Sequence, residues 1–172
     1  MPDAQRTVTM DFKAADNLIY LLGETRDELG SSHYALLQGL QGGVVPQPVT
    51  RPLERYRALH HAIQAGLVQS AHDVSEGGLA VALAEMSIAG RLGVMANLIT
   101  VAPNTEDDYT RLDAISVLFS ETAGRLLLEV RPEDADAFES LLAGQSLSLF
   151  GNVTEEPEFT IFWDGVPTGM AY

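Results

Sequence analysis

The sequence predicts an α/β (α+β) fold, a mixed β-sheet with helices packed against it, and three observations carry that expectation. Short apolar runs rich in strand formers alternate with segments whose apolar residues recur at helical spacing. The 172 residues are 46% hydrophobic, enough to bury a core. No internal repeat or low-complexity tract breaks the alternation, which leaves an N-terminal segment, residues 1–16, and a single domain, residues 17–172.

Taken in order, residues 17–23 (Asn-Leu-Ile-Tyr-Leu-Leu-Gly) read as a buried strand closed by glycine. Ser31 or Ser32 can cap a short helix through Leu37, and Gly42, Gly43, Pro46 and Pro48 mark a loop. From Pro52 to Leu67, the positions Leu53, Tyr56, Leu59, Ile63 and Leu67 recur as the stripe of a helix, with Pro52 and Glu54 suited to its first turn. A strand over 67–71 follows, then a helix carried by Leu79, Leu83 and Met86 that ends near Gly90. Residues 93–99 are a strand and 103–108 an acidic surface loop. Leu112, Ile115, Leu118 and Phe119 mark a helix, residues 125–130 a strand, and 132–142 an amphipathic helix with an acidic start. Two closing strands, 147–150 and 158–163, are expected to be antiparallel, the second ending in the turn dipeptide Asp164-Gly165.

Charge narrows the function classes. The formal charge is -14, from 24 acidic and 10 basic residues, and Lys13 is the only lysine. Such a chain repels a phosphate backbone at long range, so nucleic acid is not an expected partner. No signal-like leader and no apolar run of bilayer-spanning length is seen, so the expectation is a soluble, cytoplasmic protein with no membrane partner. Cysteine is absent, which removes disulfides, thiolate metal sites and a thiol nucleophile. Phosphates can then be held only by backbone N–H groups or by a divalent cation bridging them to carboxylates.

The segment Ala71-His72-Asp73-Val74-Ser75-Glu76-Gly77-Gly78-Leu79 joins a strand to a helix with unusual residues at the joint. Two glycines in a first turn each cost about 1 kcal/mol relative to alanine. They let the backbone approach a ligand or a neighbouring strand closely, and they leave the amides of a helix start free to face an anion. Asp73 can ligate a hard cation such as Mg²⁺, and Ser75 can cap the helix or bind a phosphate oxygen. The plainer reading makes Asp73 and Glu76 a capping box and the glycines a device for tight helix packing. The pattern is neither a Walker loop nor a dinucleotide fingerprint, and residue chemistry leaves both readings open.

Residues 71–86 (A-H-D-V-S-E-G-G-L-A-V-A-L-A-E-M) resemble the signature helix of the formylglycinamidine ribonucleotide synthases, D-x-S-[DE]-G-G-L followed by A-x-A-E. Three further segments fall in the family's order. Phe12-Lys13 followed by residues 16–23 resembles its first domain strand, residues 30–34 its short-helix entrance, and Leu118-Phe119-Ser120-Glu121 its L-F-[GS]-E. Ala15 and Thr122 depart from the usual glycine and serine. The resemblance covers nearly the whole chain and implies the C-terminal-type domain of the aminoimidazole ribonucleotide synthetase-like fold.

It also implies a part in an ATP-dependent ligase of purine biosynthesis that converts formylglycinamide ribonucleotide, with glutamine-derived ammonia, into the amidine by phosphorylating the amide oxygen. By that resemblance Asp73 falls at a position for Mg²⁺ of a bound ATP or ADP, Ser75 at a phosphate contact, and Gly77 and Gly78 beside the nucleotide. Glu121 falls where a paralogous domain contacts substrate. No catalytic residue is assigned, because the family's main ATP site and catalytic histidine belong to N-terminal-type domains. Those domains and a glutaminase component are the implied partners, the chain alone is expected to be inactive, and an exposed interdomain face would favour self-association.

The histidines carry less. His72 should face away from Asp73 along a strand, His60 and His61 diverge by about 100° on a helix, and His33 is expected to make a cap or core contact. Glu133, Asp134 and Asp136 suit a helix start without a cation. Tyr109 and Trp163 read as ordinary packing. The alternatives are another ATP-dependent enzyme of the same superfamily, and a free-standing nucleotide- or partner-binding module without catalysis.

Overall fold

Side-chain alternation along one strand sets the architecture. In β1 (Leu18–Leu22), Ile19 and Leu21 enter one apolar cluster, Tyr20 and Leu22 another. Successive residues of a strand face opposite sides, so a strand apolar at every position is covered on both faces. The computed structural model describes residues 6–101 and 112–163 and the backbone of 166–167. There β1 is joined by β2 (Ser70–Val74), β3 (Gly93–Asn97), β4 (Arg125–Val130), β5 (Leu147–Thr154), β6 (Phe159–Trp163) and the two-residue β7 (Val166–Pro167). They form one mixed sheet in the order β2-β4-β1-β5-β3-β6-β7.

Five helices accompany the sheet: α1 (His33–Gln38), α2 (Pro52–Gln64), α3 (Gly78–Gly90), α4 (Ala114–Phe119) and α5 (Ala135–Leu141). Leu79, Leu83 and Met86 of α3 and Val117 of α4 pack with Ile19, Leu21 and Leu127 on one face. Leu59 and Ala62 of α2 and Phe138 of α5 pack with Tyr20, Leu22 and Leu128 on the other. Burying each large apolar side chain contributes about 1.5–3 kcal/mol. The mixed sheet with helices against it is therefore the predicted class, with both faces of β1 and β4 covered.

Several boundaries differ from expectation for identifiable reasons. Residues 67–69 do not begin a strand: Gly66 turns left-handed at φ 76° and the Leu67 N–H closes back on Ala62 O at 3.1 Å, so Leu67 and Val68 finish the helix cap and pack into the second core. Burial of α2 is confined to its second half, leaving Leu53 and Tyr56 exposed. In α4 the buried pair is Ser116 and Val117, and Ile115 faces outward. β3 gives way at Leu98 to a 3-10 turn, Leu98–Val101. β5 pairs antiparallel with β1 and β3, as expected. β6 reverses after β5 and lies on the far side of β3, so it runs parallel to β3. The acidic loop 103–108, Tyr109 and Asp164-Gly165 lie outside the described residues.

A buried carboxylate ties the N-terminal segment to the sheet. Glu129, fully enclosed in β4, accepts hydrogen bonds from the Lys13 and Ala14 N–H groups, from Asn17 Nδ2 at 2.7 Å and from Ser70 Oγ at 2.7 Å. Four donors around one carboxylate offset the cost of burying it. Phe12 is thereby held in the first core. Among the described residues no helix is long and apolar enough to cross a membrane.

Candidate functional site

The pairing of β2 with β4 builds the site. Asp73 lies opposite Leu126 and Val74 opposite Arg125 in an antiparallel register. The exit of β2 and the entry to β4 are therefore neighbours, and the loops they carry, residues 75–77 and 120–124, flank a cleft of about 400 Å³. Asp73, Ser75, Glu76, Glu121 and Arg125 line it, and Pro46 and Tyr56 approach from the α2 side. Three predicted site residues, Asp73, Ser75 and Glu121, thus meet in one concavity although 48 positions of sequence separate the first from the last.

Asp73 is 71% exposed, and its Oδ1 stands 3.4 Å from Nδ1 of His72. The other imidazole nitrogen of His72 meets Glu85 Oε2 on α3 at 2.7 Å. His72 thus does reach its neighbour's carboxylate, contrary to the simple alternation expected of a strand, while also packing toward α3. Ser75 is exposed and its carbonyl accepts the Gly78 N–H at 3.1 Å. The capping box does not form: the N-cap of α3 is Gly77, with no side-chain cap bond. The Asp73 carboxylate and the Ser75 hydroxyl are consequently not engaged in closing the helix.

The glycines have separate reasons. Gly77 sits at φ 78°, and a Cβ there would come within 2.3 Å of Val81 Cγ2. Gly78 sits at φ 69°, and its Cβ would lie 2.6 Å from the carbonyl oxygens of Leu118 and Ser120. The start of α3 is thus pressed against the end of α4, as the packing reading of the motif required. Both glycines are buried and both amides have partners within the chain, Gly77 N–H donating to Glu121 Oε1 at 2.9 Å and Gly78 N–H to Ser75 O.

Glu121 is the electrostatic centre of the site. Its Oε1 also accepts the backbone N–H of His33 at 2.8 Å and lies 3.1 Å from His33 Nδ1. Partial burial pushes this carboxyl up, but the Gly77 and His33 hydrogen bonds outweigh it, so the group is held below the ordinary glutamate range. His33, expected to make a cap or core contact, instead clamps a site carboxylate from the first position of α1. Ser32, not His33, is the N-cap, accepting the Ala35 N–H.

Arg125 is the residue that sequence reasoning missed. Only 1% exposed, it donates through Nε to Thr122 O, through Nη2 to Ser120 O and through Nη1 to Thr25 Oγ1. Burial lowers its pKa to about 10. By gripping the carbonyls on either side of Glu121 it fixes the loop that presents that carboxylate. The available signal was an arginine opening a strand built on Leu126, Leu127 and Leu128, a placement that demands buried acceptors.

The donor set suits a hard cation shared with a ligand. Among the described residues no group of three or more histidine, aspartate or glutamate side chains is arranged to hold a metal ion alone. Mg²⁺ needs less, because it keeps waters and is commonly held by one or two carboxylates plus phosphate oxygens. An exposed Asp73 with Ser75 beside it fits that pattern.

Residues 14–164 match the family described as AIR synthase related protein, C-terminal domain. The subunit PurL of phosphoribosylformylglycinamidine synthase from Lactobacillus helveticus is 41% identical over 156 residues, covering 90% of this chain and 19% of that protein. The chain therefore spans about a fifth of the length of such relatives. Among solved structures, Thermotoga maritima PurL complexed with FGAR superposes with a TM-score of 0.79 at 20% identity, over 98% of this chain and 29% of that one. The same protein complexed with ATP gives 0.74 at 19% identity, over 96% and 26%. At these identities the superpositions speak to fold alone.

Proposed function

Because the chain belongs to the AIR synthase related C-terminal domain family, we propose that it serves as the C-terminal-type domain of an ATP-dependent amidotransfer ligase. That ligase converts formylglycinamide ribonucleotide to formylglycinamidine ribonucleotide in purine biosynthesis. The observation that carries the reading is the convergence of Asp73, Ser75 and Glu121 on one cleft at the β2–α3 elbow. In this reading the cleft takes the phosphate end of ATP or ADP. Asp73 would supply an oxygen to Mg²⁺ and Ser75 would meet a phosphate oxygen, while the packed Gly77-Gly78 turn would hold the elbow that carries them beside the nucleotide. Glu121 would fix the wall through Gly77 and His33 and present its remaining oxygen to the cleft, where a substrate contact is open to it. Bound Mg²⁺ would neutralise phosphate charge that a chain of net charge -14 cannot otherwise meet.

The relative is named as a synthase subunit, and that supports N-terminal-type domains and a glutaminase component as partners. The exposed Leu36, Leu37 and Leu40 give the isolated chain a reason to self-associate. Synthase activity tests the proposal. The chain alone should form no measurable amidine from formylglycinamide ribonucleotide, ammonia and Mg-ATP, and adding the missing domains in trans should restore turnover. Robust turnover by the chain alone, or none after reconstitution, contradicts it. Of the second reading, a free-standing nucleotide- or partner-binding module without catalysis, one observation favours the partner-binding form: Glu121 already occupies the Gly77 amide, so that part of the helix start offers nothing to a phosphate.

A further inference from the structure

A second concavity, of about 300 Å³, lies next to the cleft and is lined by Glu24, Arg26, Val49, Thr50, Arg55 and Ala123. Ala123 lines both, and Val49 packs where a Cβ on Gly124 would sit, so the two are separated only by the 123–124 turn. In a chain with 10 basic residues against 24 acidic ones, two arginines sharing one pocket is an uneven use of scarce positive charge. The two are not equivalent. Arg26 is countered by Glu24 at 3.0 Å and by the buried Glu28 at 3.8 Å. Arg55 has no ion-pair partner among the described residues. Its Nη1 donates to Gly124 O at 2.8 Å, its Nε is buried without an acceptor, and its Nη2 makes no hydrogen bond to a described residue.

We propose that this pocket binds a phosphate group, free or as a sugar monoester, with the Nη2 end of the Arg55 guanidinium donating to it and the Thr50 hydroxyl beside it. The buried Nε is out of a ligand's reach, but Nη2 and the second hydrogen of Nη1 form the end of a planar fork that matches two phosphate oxygens. The exposed Thr50 adds a neutral donor. Glu24 shares the pocket and repels a dianion, yet it is engaged by Arg26 at 3.0 Å, which leaves Arg55 as the uncompensated charge. The site stands apart from Asp73 and needs no metal, so it does not depend on the nucleotide reading.

The test is titration of the full chain, without Mg²⁺, with inorganic phosphate, ribose 5-phosphate and ribose, followed by amide shifts. Phosphate and ribose 5-phosphate should shift residues 24–26, 49–50 and 55 at millimolar concentration, while ribose shifts none of them. Tighter binding of ribose 5-phosphate assigns the pocket to a sugar phosphate, and equal binding to the free anion. Arg55→Gln should weaken phosphate at least tenfold and Arg55→Lys should restore part of it. Since Arg55 also holds Gly124 O, Thr50→Val serves as the variant that leaves that bond in place, with a loss of about threefold expected from one hydroxyl. No shift at these residues in the native chain, or shifts unchanged in both Arg55→Gln and Thr50→Val, overturns the proposal. Mg-ADP affinity read on the same samples separates this outcome from failure of the Asp73 cleft.

Discussion

At Glu121 a single carboxylate joins three elements, because Gly77 of the α3 start and His33 of α1 both donate to its Oε1. Hydrogen bonds to a charged group contribute about 1.5–3 kcal/mol each when removal leaves a partner unmet. Glu121→Gln should therefore lower stability near neutral pH by about 1–3 kcal/mol in chemical denaturation, and an unchanged midpoint would show the clamp to be idle. The sign with pH follows from the direction of the shift. A carboxyl whose folded pKa is depressed adds stability that is complete above its unfolded value, and this is lost as pH falls through the folded one. The native chain should lose stability below the ordinary glutamate range, and the variant should lose less over that window. Gly78 was legible in the sequence as a position needing space, but the neighbour requiring it was not, since Leu118 and Ser120 lie 40 or more positions away. Gly78→Ala should cost about 2–4 kcal/mol, combining a left-handed φ with a clash against two carbonyls, and a loss below about 0.5 kcal/mol would contradict that geometry.

Among the elements, the strands with apolar runs were the most readable. β1 and β4 follow directly from residues 18–22 and 125–130, because burial on both faces writes apolar runs, unbroken in β1 and carried by Leu126, Leu127, Leu128 and Val130 in β4. β2 was misplaced by three residues, since Leu67 and Val68 are apolar for the sake of a helix cap and only the structure reveals the Gly66 turn. The outer half of α2 looked like a core stripe because periodicity reports an apolar face without saying what covers it. What holds β4 to the N-terminal segment was invisible, since Glu129 reads as the polar member of a strand. Glu129→Gln replaces an all-acceptor group with one that also donates, facing the Lys13, Ala14 and Asn17 donors. That change should cost about 3–5 kcal/mol and should accelerate hydrogen exchange of the Lys13 and Ala14 amides. Native-like protection there would remove the anchoring role.

For the whole molecule, the sheet orders the chain so that the chemistry-bearing loops after β2 and before β4 share one edge, with His33 of α1 and Tyr56 of α2 reaching that site while Leu36 and Leu37 of α1 stay exposed. Leu36 and Leu37 are 76% and 83% exposed, with Leu40, Val44 and Val45 exposed just beyond them in the chain, an apolar stretch that a second surface can cover. Leu36→Ser with Leu37→Ser should shift sedimentation of the isolated chain toward monomer with no change in melting temperature, and an unaltered distribution would place any self-association elsewhere. The family and its four ordered motifs could be read from the sequence because they are local. The site's completion by Arg125 and His33 could not, because it depends on strand pairing and on where α1 lands. The central claim is that Asp73 and Ser75 form a Mg-nucleotide cleft, and calorimetric titration of the native chain, Asp73→Ala and Ser75→Ala with Mg-ADP tests it most directly. The native chain should bind, Asp73→Ala should weaken binding by roughly tenfold or more and Ser75→Ala by somewhat less, with the loss in Asp73→Ala shrinking when Mg²⁺ is withheld; equal affinity in all three proteins, or no binding by the native chain, would contradict it.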